Sequence, residues 1–370
     1  MEEKAVTANE LKIPLYVKAI LLIMGLSTLT VVLYVAQSII VPIIFSILLA
    51  ILLHPVVNFF VRIKINRVIA IMMTLLLTLL LIAAFSGLLF SQASRFSDSW
   101  PILVDKFSLT LNQAVNWASG YFDINPGKID AWILKTKGEL INTSGAAIGQ
   151  TLINLGSGVV ILFLIPLYIF LILFYQPLLL DFIRKLFNEN NQGRVSEIIT
   201  QIKSVVQHYL TGLLIEGVMV AALNATALLV LGIEYAVLLG IIGALLNVIP
   251  YIGGLVAVAM PMMIALVTKS SVWYAFYVLA AYYCIQLFDN NFIVPKIVAS
   301  KVKINALFSI IVVLAGNALW GIPGMFLSLP LLAIIKVIFD HIEPLKPWGF
   351  LLGDTMPSIL KIKPLFKTSK

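Results

Sequence analysis

The chain has 370 residues, 61% of them apolar and 11% charged, against roughly 45–50% and 25% in soluble domains. With 25 basic and 17 acidic side chains it cannot clothe a soluble surface of that length, and most soluble-enzyme classes fall away with that. The net charge of +8 reads as the basic loops that membrane proteins keep on the cytoplasmic side, not as a nucleic-acid surface. The composition describes an all-α integral membrane protein. The single cysteine, Cys284, sits in an apolar run and reads as a packing residue.

A membrane span needs about 20 uncharged helical residues, and the chain offers about eight hydrophobic segments. The first two, Ala19–Ala36 and Ser38–Val61, are separated only by Gln37 and form a tight hairpin. The third is Val68–Ser94, the fourth Thr151–Tyr175, and the fifth Tyr209–Leu231, which contains Glu216. Ser270–Phe288 is another single span. Two stretches fit neither one span nor two: Tyr235–Thr268 is uncharged for 34 residues and Ile304–Ile335 for 32. As straight helices each would be about 50 Å long, against a hydrocarbon core of about 30 Å. Both are interrupted near the middle, by NVIPYIGG (Asn247–Gly254) and GNALWGIPG (Gly316–Gly324). Each is expected to be a broken, re-entrant-like helical hairpin.

Outside the spans, Val195, Ile198, Ile202, Val205 and Tyr209 recur at helical spacing and predict an amphipathic helix feeding into the fifth span. Leu103, Phe107, Leu111 and Val115 predict a second one among Trp100, Trp117 and Trp132. Simple capping of the bundle would explain either. The chain thus divides into a three-span region (1–94), an extramembrane amphipathic segment (95–150), a fourth span (151–176), a cytoplasmic amphipathic segment (177–208), a C-terminal core with the broken helices (209–340) and a cytoplasmic tail (341–370). The short loop with Arg62, Lys64 and Arg67 is purely basic and so cytoplasmic, which places the N-terminus inside. If both broken stretches return to their own side, Lys296, Lys301, Lys303 and the C-terminal lysines also face the cytoplasm.

No enzyme signature is present. GNALWGIPG has the glycine spacing of a phosphate loop but lacks its Lys and Ser/Thr. His54, His208 and His341 are too scattered for a metal centre. No cofactor is expected, and without an ATP site any driving energy must come from an ion gradient. Charged groups within hydrocarbon are costly and tend to face an interior or a water path. Glu216 reads either as a proton or cation carrier or as a carboxylate near enough to the interface to reach water or a lysine. Asp289, six residues before Pro295 at the end of its span, reads either as an ion-coupling or gating group or as a cap paired with Lys296. The interruptions free backbone N–H and C=O groups that are tolerated only against protein or water. Broken helices of this kind point to a substrate site, although a kink relieved by neighbouring helices would leave the same pattern. The candidate substrate residues are Asn247, Pro250, Gly253, Gly254, Asn290, Asn291, Gly316, Asn317, Gly321 and Gly324; the candidate ion-coupling residues are Glu216 and Asp289.

The run LGIEYAVLLGIIGALLNVIPYIGG, then FDNNFIVPKI, then GNALWGIPGMFLSLPLLAIIK resembles the autoinducer-2 exporter family of bacterial membrane proteins, and the similarity extends over roughly residues 15–340. Ala299, Ser300 and Asn305 depart from the Gly and Pro often found there. The resemblance implies an oligomeric multi-pass transporter of the bacterial inner membrane, and the expected partners are the lipid bilayer, a small polar solute with H+ or Na+, and further copies of the chain. The readings carried forward are a secondary transporter of a small polar solute or signalling molecule, a passive oligomeric channel, and a cation/proton antiporter with no organic substrate. A scaffold without transport activity is the remaining reading.

Overall fold

The computed structural model describes residues 14–122, 163–247, 253–269, 271–298 and 304–354, and among these are helices, the short turns that join them and one isolated bridge. Helices α1 (Leu15–Val35) and α2 (Gln37–Arg62) meet at Ala36. Then come α3 (Arg67–Phe122) and α4 (Phe163–Lys185). A third long helix, α5 (Glu189–Val230), precedes the shorter α6 (Ala236–Asn247) and α7 (Gly253–Thr268). Next, α8 (Trp273–Phe288) passes directly into a wide-turn helix at Asp289–Val298. The stretch α9 (Ala306–His341) is followed by a single turn and by α10 (Lys346–Leu352). Among the described residues, six helices are long and apolar enough to cross a membrane by length and composition, and two shorter apolar helices accompany them.

The first broken stretch is a helical hairpin. A methyl group on Gly253 would overlap the Leu246 carbonyl, and one on Gly243 would lie 3.6 Å from Ala257 Cβ. These pairs straddle one midpoint, so α6 and α7 run antiparallel and pack backbone to backbone at their tip. Val248–Ile252, including Pro250, lie outside the described residues.

The second stretch folds back too, although its helix is almost uninterrupted. Gly321 sits at φ 64°, ψ −144°, a left-handed conformation that a residue with Cβ disfavours. Ser328 Oγ reaches the Val312 carbonyl at 2.8 Å. Sixteen residues of straight helix would hold those groups about 24 Å apart, so the arms before and after Gly321 lie side by side. Gly316 and Gly324 let them close, since a methyl on either would overlap the other's carbonyl. At its base this hairpin is shut: the Asn305 N–H donates to the Leu352 carbonyl at 2.9 Å and Ile304 bridges Gly353. The second part of α9 and α10 thereby return to the start of the first arm.

α5 is the post on which both hairpins hang. Val205 shares a core cluster with Ala333, Val337 and Ile304 at the base of the second hairpin, and Val206 and Leu210 share one with Leu327 further up it. At the other end of α5, Leu228 packs with Ala236, Leu239, Ile264 and Ala265 at the base of the first. The hairpins therefore enter from opposite ends of the bundle and point towards each other. A separate cluster joins α2, α3 and α4 through Ala50, Val57, Ile71, Leu75, Ile169 and Leu173. Apolar lipid gives no hydrophobic drive between helices, so this close packing and a few polar bonds hold the bundle together. α1 is almost wholly exposed and is pinned at its far end, where Trp320 Nε1 donates to the Leu33 carbonyl at 3.0 Å.

Several expectations change here. The third span and the amphipathic helix after it are one continuous helix of 56 residues, about 84 Å long, of which Arg67–Ser94 is the part apolar enough to cross a membrane. Its extension, with Leu103 buried, packs into the core at the base of the first hairpin. The amphipathic segment from Val195 and the fifth span are likewise continuous, as the sequence predicts. Cys284 is exposed, not packed. Trp132 and the tail beyond Asp354 lie outside the described residues.

Candidate functional site

The polar groups of the C-terminal core gather at the tip of the first hairpin. Asn247 ends α6, and its Nδ2 donates to Asp289 Oδ2 at 3.0 Å. Asp289 is 1% exposed, and its other oxygen, Oδ1, is buried without a partner. It occupies this depth because α8 does not stop at Phe288. The helix widens and runs ten residues further, through Pro295, to Val298. Wide turns of this kind are uncommon and are frequent at functional sites. Asp289 is thus neither a terminal cap nor a partner of Lys296, whose ammonium lies 5.7 Å from the centre of the Phe292 ring.

Glu216 is 7% exposed on α5 and within electrostatic reach of Asp289. No ion pair joins it to a lysine among the described residues. Glu216 is thus buried within the bundle with no ion pair among the described residues. Leu327 and Leu210 share a cluster, and Gly321 lies six residues from Leu327 towards the tip while Glu216 lies six residues from Leu210 in the same direction. At 1.5 Å per residue both are about 9 Å further along. The tip of the second hairpin therefore reaches approximately the depth of Glu216, where the tip of the first arrives from the opposite end.

Further polar atoms surround the first tip. A methyl on Gly254 would sit 2.8 Å from Gln286 Oε1 and 3.8 Å from Asn247 Oδ1, so these carbonyl oxygens face the start of α7, where helix N–H groups have no partner within the helix. A methyl on Gly243 would lie 3.1 Å from Asn224 Nδ2 and 3.5 Å from the Tyr282 hydroxyl. Asn224 is 3% exposed, and the buried Tyr282 hydroxyl has no partner.

The candidates thus divide. Asn247, Gly253, Gly254, Glu216 and Asp289 come together. Asn290 and Asn291 are exposed, and Asn291 donates to the Leu287 carbonyl of its own helix at 2.7 Å. Gly316 and Gly324 close the second hairpin, Gly321 turns it, and Asn317 is exposed. Pro250 falls outside the described residues. Tyr282 is the residue that the sequence reading missed. It stands at i, i+4 and i+7 with Gln286 and Asp289, a polar stripe on one helix face. No group of three metal-ligating side chains occurs among the described residues. An apolar groove of about 560 Å³, lined by Ile183, Phe187, Ile198 and Ile338 among others, lies at the end of the bundle carrying Arg62 and contains none of these polar residues.

Comparison with known proteins agrees with this architecture. Residues 21–343 match the family described as AI-2E family transporter. Over 258 residues the chain is 26% identical to "Putative transport protein YrrI" of Bacillus subtilis (strain 168), covering 69% of this chain and 71% of that protein. It is 28% identical over 149 residues to the AI-2 transport protein TqsA of Escherichia coli (strain K12), covering 40% of this chain and 43% of the relative. The chain belongs to the AI-2E family of multi-pass membrane transporters.

Proposed function

We propose that the chain is a secondary-active transporter that moves a small polar solute or signalling molecule at the expense of a proton or sodium gradient. The observation that carries this reading is the part-buried 3.0 Å bond from Asn247 to Asp289. It ties the moving part most easily imagined, a hairpin tip, to a carboxylate that needs a counter-charge in an apolar setting. Asp289 is the coupling group and Glu216 its neighbour. The donors within reach are carboxylate, amide and hydroxyl oxygens, which suit H+ or a hard monovalent cation rather than a transition metal. Solute binds between the opposed tips, at Asn247, Gly253 and Gly254 on one side and Gly316, Gly321 and Gly324 on the other. Pro250, Asn290, Asn291 and Asn317 flank that space. The protein works as a homo-oligomer in the bacterial inner membrane, with both termini in the cytoplasm.

The test is coupled flux in proteoliposomes holding a trapped pH dye. An external pulse of Na+, Li+ or K+, or a small polar solute, is expected to move protons, with saturation. Because one relative carries AI-2 in its name, that furanone is the first organic solute to offer. Asp289→Asn is expected to abolish the proton signal and Glu216→Gln to shift its pH dependence. Flux that rises without saturation and survives Asp289→Asn would instead identify a passive pore. Cation-driven proton movement with no response to any organic solute would identify a plain antiporter.

A further inference from the structure

A second polar assembly lies at the opposite depth, where α2, α3, α4 and α5 meet beside the basic loop. Lys203 Nζ of α5 is 3.1 and 3.4 Å from the two ring nitrogens of His54 on α2. Arg67, at the start of α3, crosses to α4 and donates to the Leu173 carbonyl at 2.7 Å and to Gln176 Oε1 at 3.3 Å. Lys203 and Arg67 both lie within electrostatic reach of His54, whose Nδ1 is also 3.0 Å from Asn58 Nδ2, so one neighbourhood holds all three bases. No carboxylate among the described residues forms an ion pair with Lys203 or Arg67. The N-terminal end of α3 adds partial positive charge at the same place. Lys203 and His54 are half-buried and Arg67 is exposed. The site is therefore open from outside yet partly withdrawn from water, where like charges repel more strongly than in bulk solvent.

What would neutralise it is indicated by the surroundings. Phe59, Phe174 and Tyr175 are 60%, 40% and 48% exposed, on the helix turns that carry Asn58, Leu173 and Gln176. Free phosphate would answer the charge and leave this aromatic surface bare. A phospholipid answers both, and basic pockets between spans on the cytoplasmic side are suited to anionic headgroups. We propose that this four-helix junction binds the phosphate of an anionic phospholipid in the adjoining leaflet, with Lys203 and Arg67 on the phosphate and the acyl chains lying along Phe59 and Phe174. The proposal is independent of the transport reading, since none of these residues belongs to the carboxylate site.

The test is thermal unfolding of the purified full-length protein in mixed micelles containing phosphatidylglycerol or phosphatidylcholine, with a third series containing inorganic phosphate alone. Phosphatidylglycerol is expected to raise the Tm clearly above the value in phosphatidylcholine, with inorganic phosphate giving little. Lys203→Gln combined with Arg67→Gln should weaken the apparent affinity for phosphatidylglycerol by about tenfold or more, while Lys203→Arg and the control Lys269→Gln, beside Gly232 at the base of the first hairpin, keep it. Should the double variant fail to fold, the single Lys203→Gln is read by native mass spectrometry, where fewer retained phosphatidylglycerol molecules are expected. An equal response to the two lipids, an unchanged response in the charge-removed variant, or the full shift with inorganic phosphate alone would overturn the proposal, the last identifying a soluble-anion site.

Discussion

The two hairpins share a shape and differ in what joins their arms. In the second, Ser328 Oγ reaches the carbonyls of Val312 and Gly324 at 2.8 and 2.6 Å, sharing one hydroxyl hydrogen between them, and the base is tied through Asn305 and Leu352. The bonds between its arms are internal, and its tip bonds outward only to an uncharged backbone group, from Trp320 Nε1 to the Leu33 carbonyl at 3.0 Å, so it is built as a rigid unit. In the first, the tip residue Asn247 spends its amide on Asp289 of another helix. A hairpin whose tip bonds outward is held by whatever charge state that partner has. The comparison teaches that similar Gly/Pro interruptions can serve closure in one place and coupling in another.

Forcing the rigid hairpin apart should have the largest effect. Gly316→Leu or Gly324→Leu drives a side chain into the facing backbone, a case beyond ordinary overpacking at about 1–3 kcal/mol. Loss of the monodisperse folded protein on size exclusion is expected, and a variant with native Tm would show that the arms are not closed there. Next comes the outward bond. Asn247→Leu removes a hydrogen bond to a carboxylate, worth about 1.5–3 kcal/mol, and coupled proton flux should fall at least about tenfold, with a lowered Tm but a folded protein. If Asn247→Leu instead unfolds the protein and spares flux in what remains, the first hairpin is the structural one. Gly321→Ala has open space around the new methyl and meets only the backbone penalty, about 1–2 kcal/mol, visible as a modest fall in Tm. Ser328→Ala is the smallest of these, at about 0.6–1 kcal/mol, and distinguishes a hairpin held by backbone approach from one held by its hydroxyl.

The hairpins were legible in the sequence because an uncharged stretch of 34 or 32 residues with a central Gly/Pro break matches neither one crossing nor two. The continuity of α3 was not. Arg95 and Asp98 mark where a chain leaves hydrocarbon, and a helix satisfies its own backbone bonds on either side of that boundary. The depth of Asp289 was hidden for a related reason. A charge followed by Pro295 reads as the end of a span, whereas the wide turns carry the helix onward. Asn290 and Asn291 were grouped with Asp289 by adjacency in sequence. On a helix, neighbours one and two apart do not share a face, and only Asp289 turns inward. That Glu216 comes within electrostatic reach of Asp289 depends on contacts between distant segments that no local pattern carries.

The common midpoint of the contacts in each hairpin has a consequence for how such a chain can change over evolution. Val312 faces Ser328 and Gly316 faces Gly324, all about Trp320. Adding or deleting one residue in a single arm would rotate everything beyond it by about 100° and misalign every pair that the change separates. Side chains on the arms are free to vary wherever volume allows, whereas the count of residues between the paired positions is not. Insertions are accommodated only outside the arms, so spacing, more than residue identity, is what this architecture holds fixed.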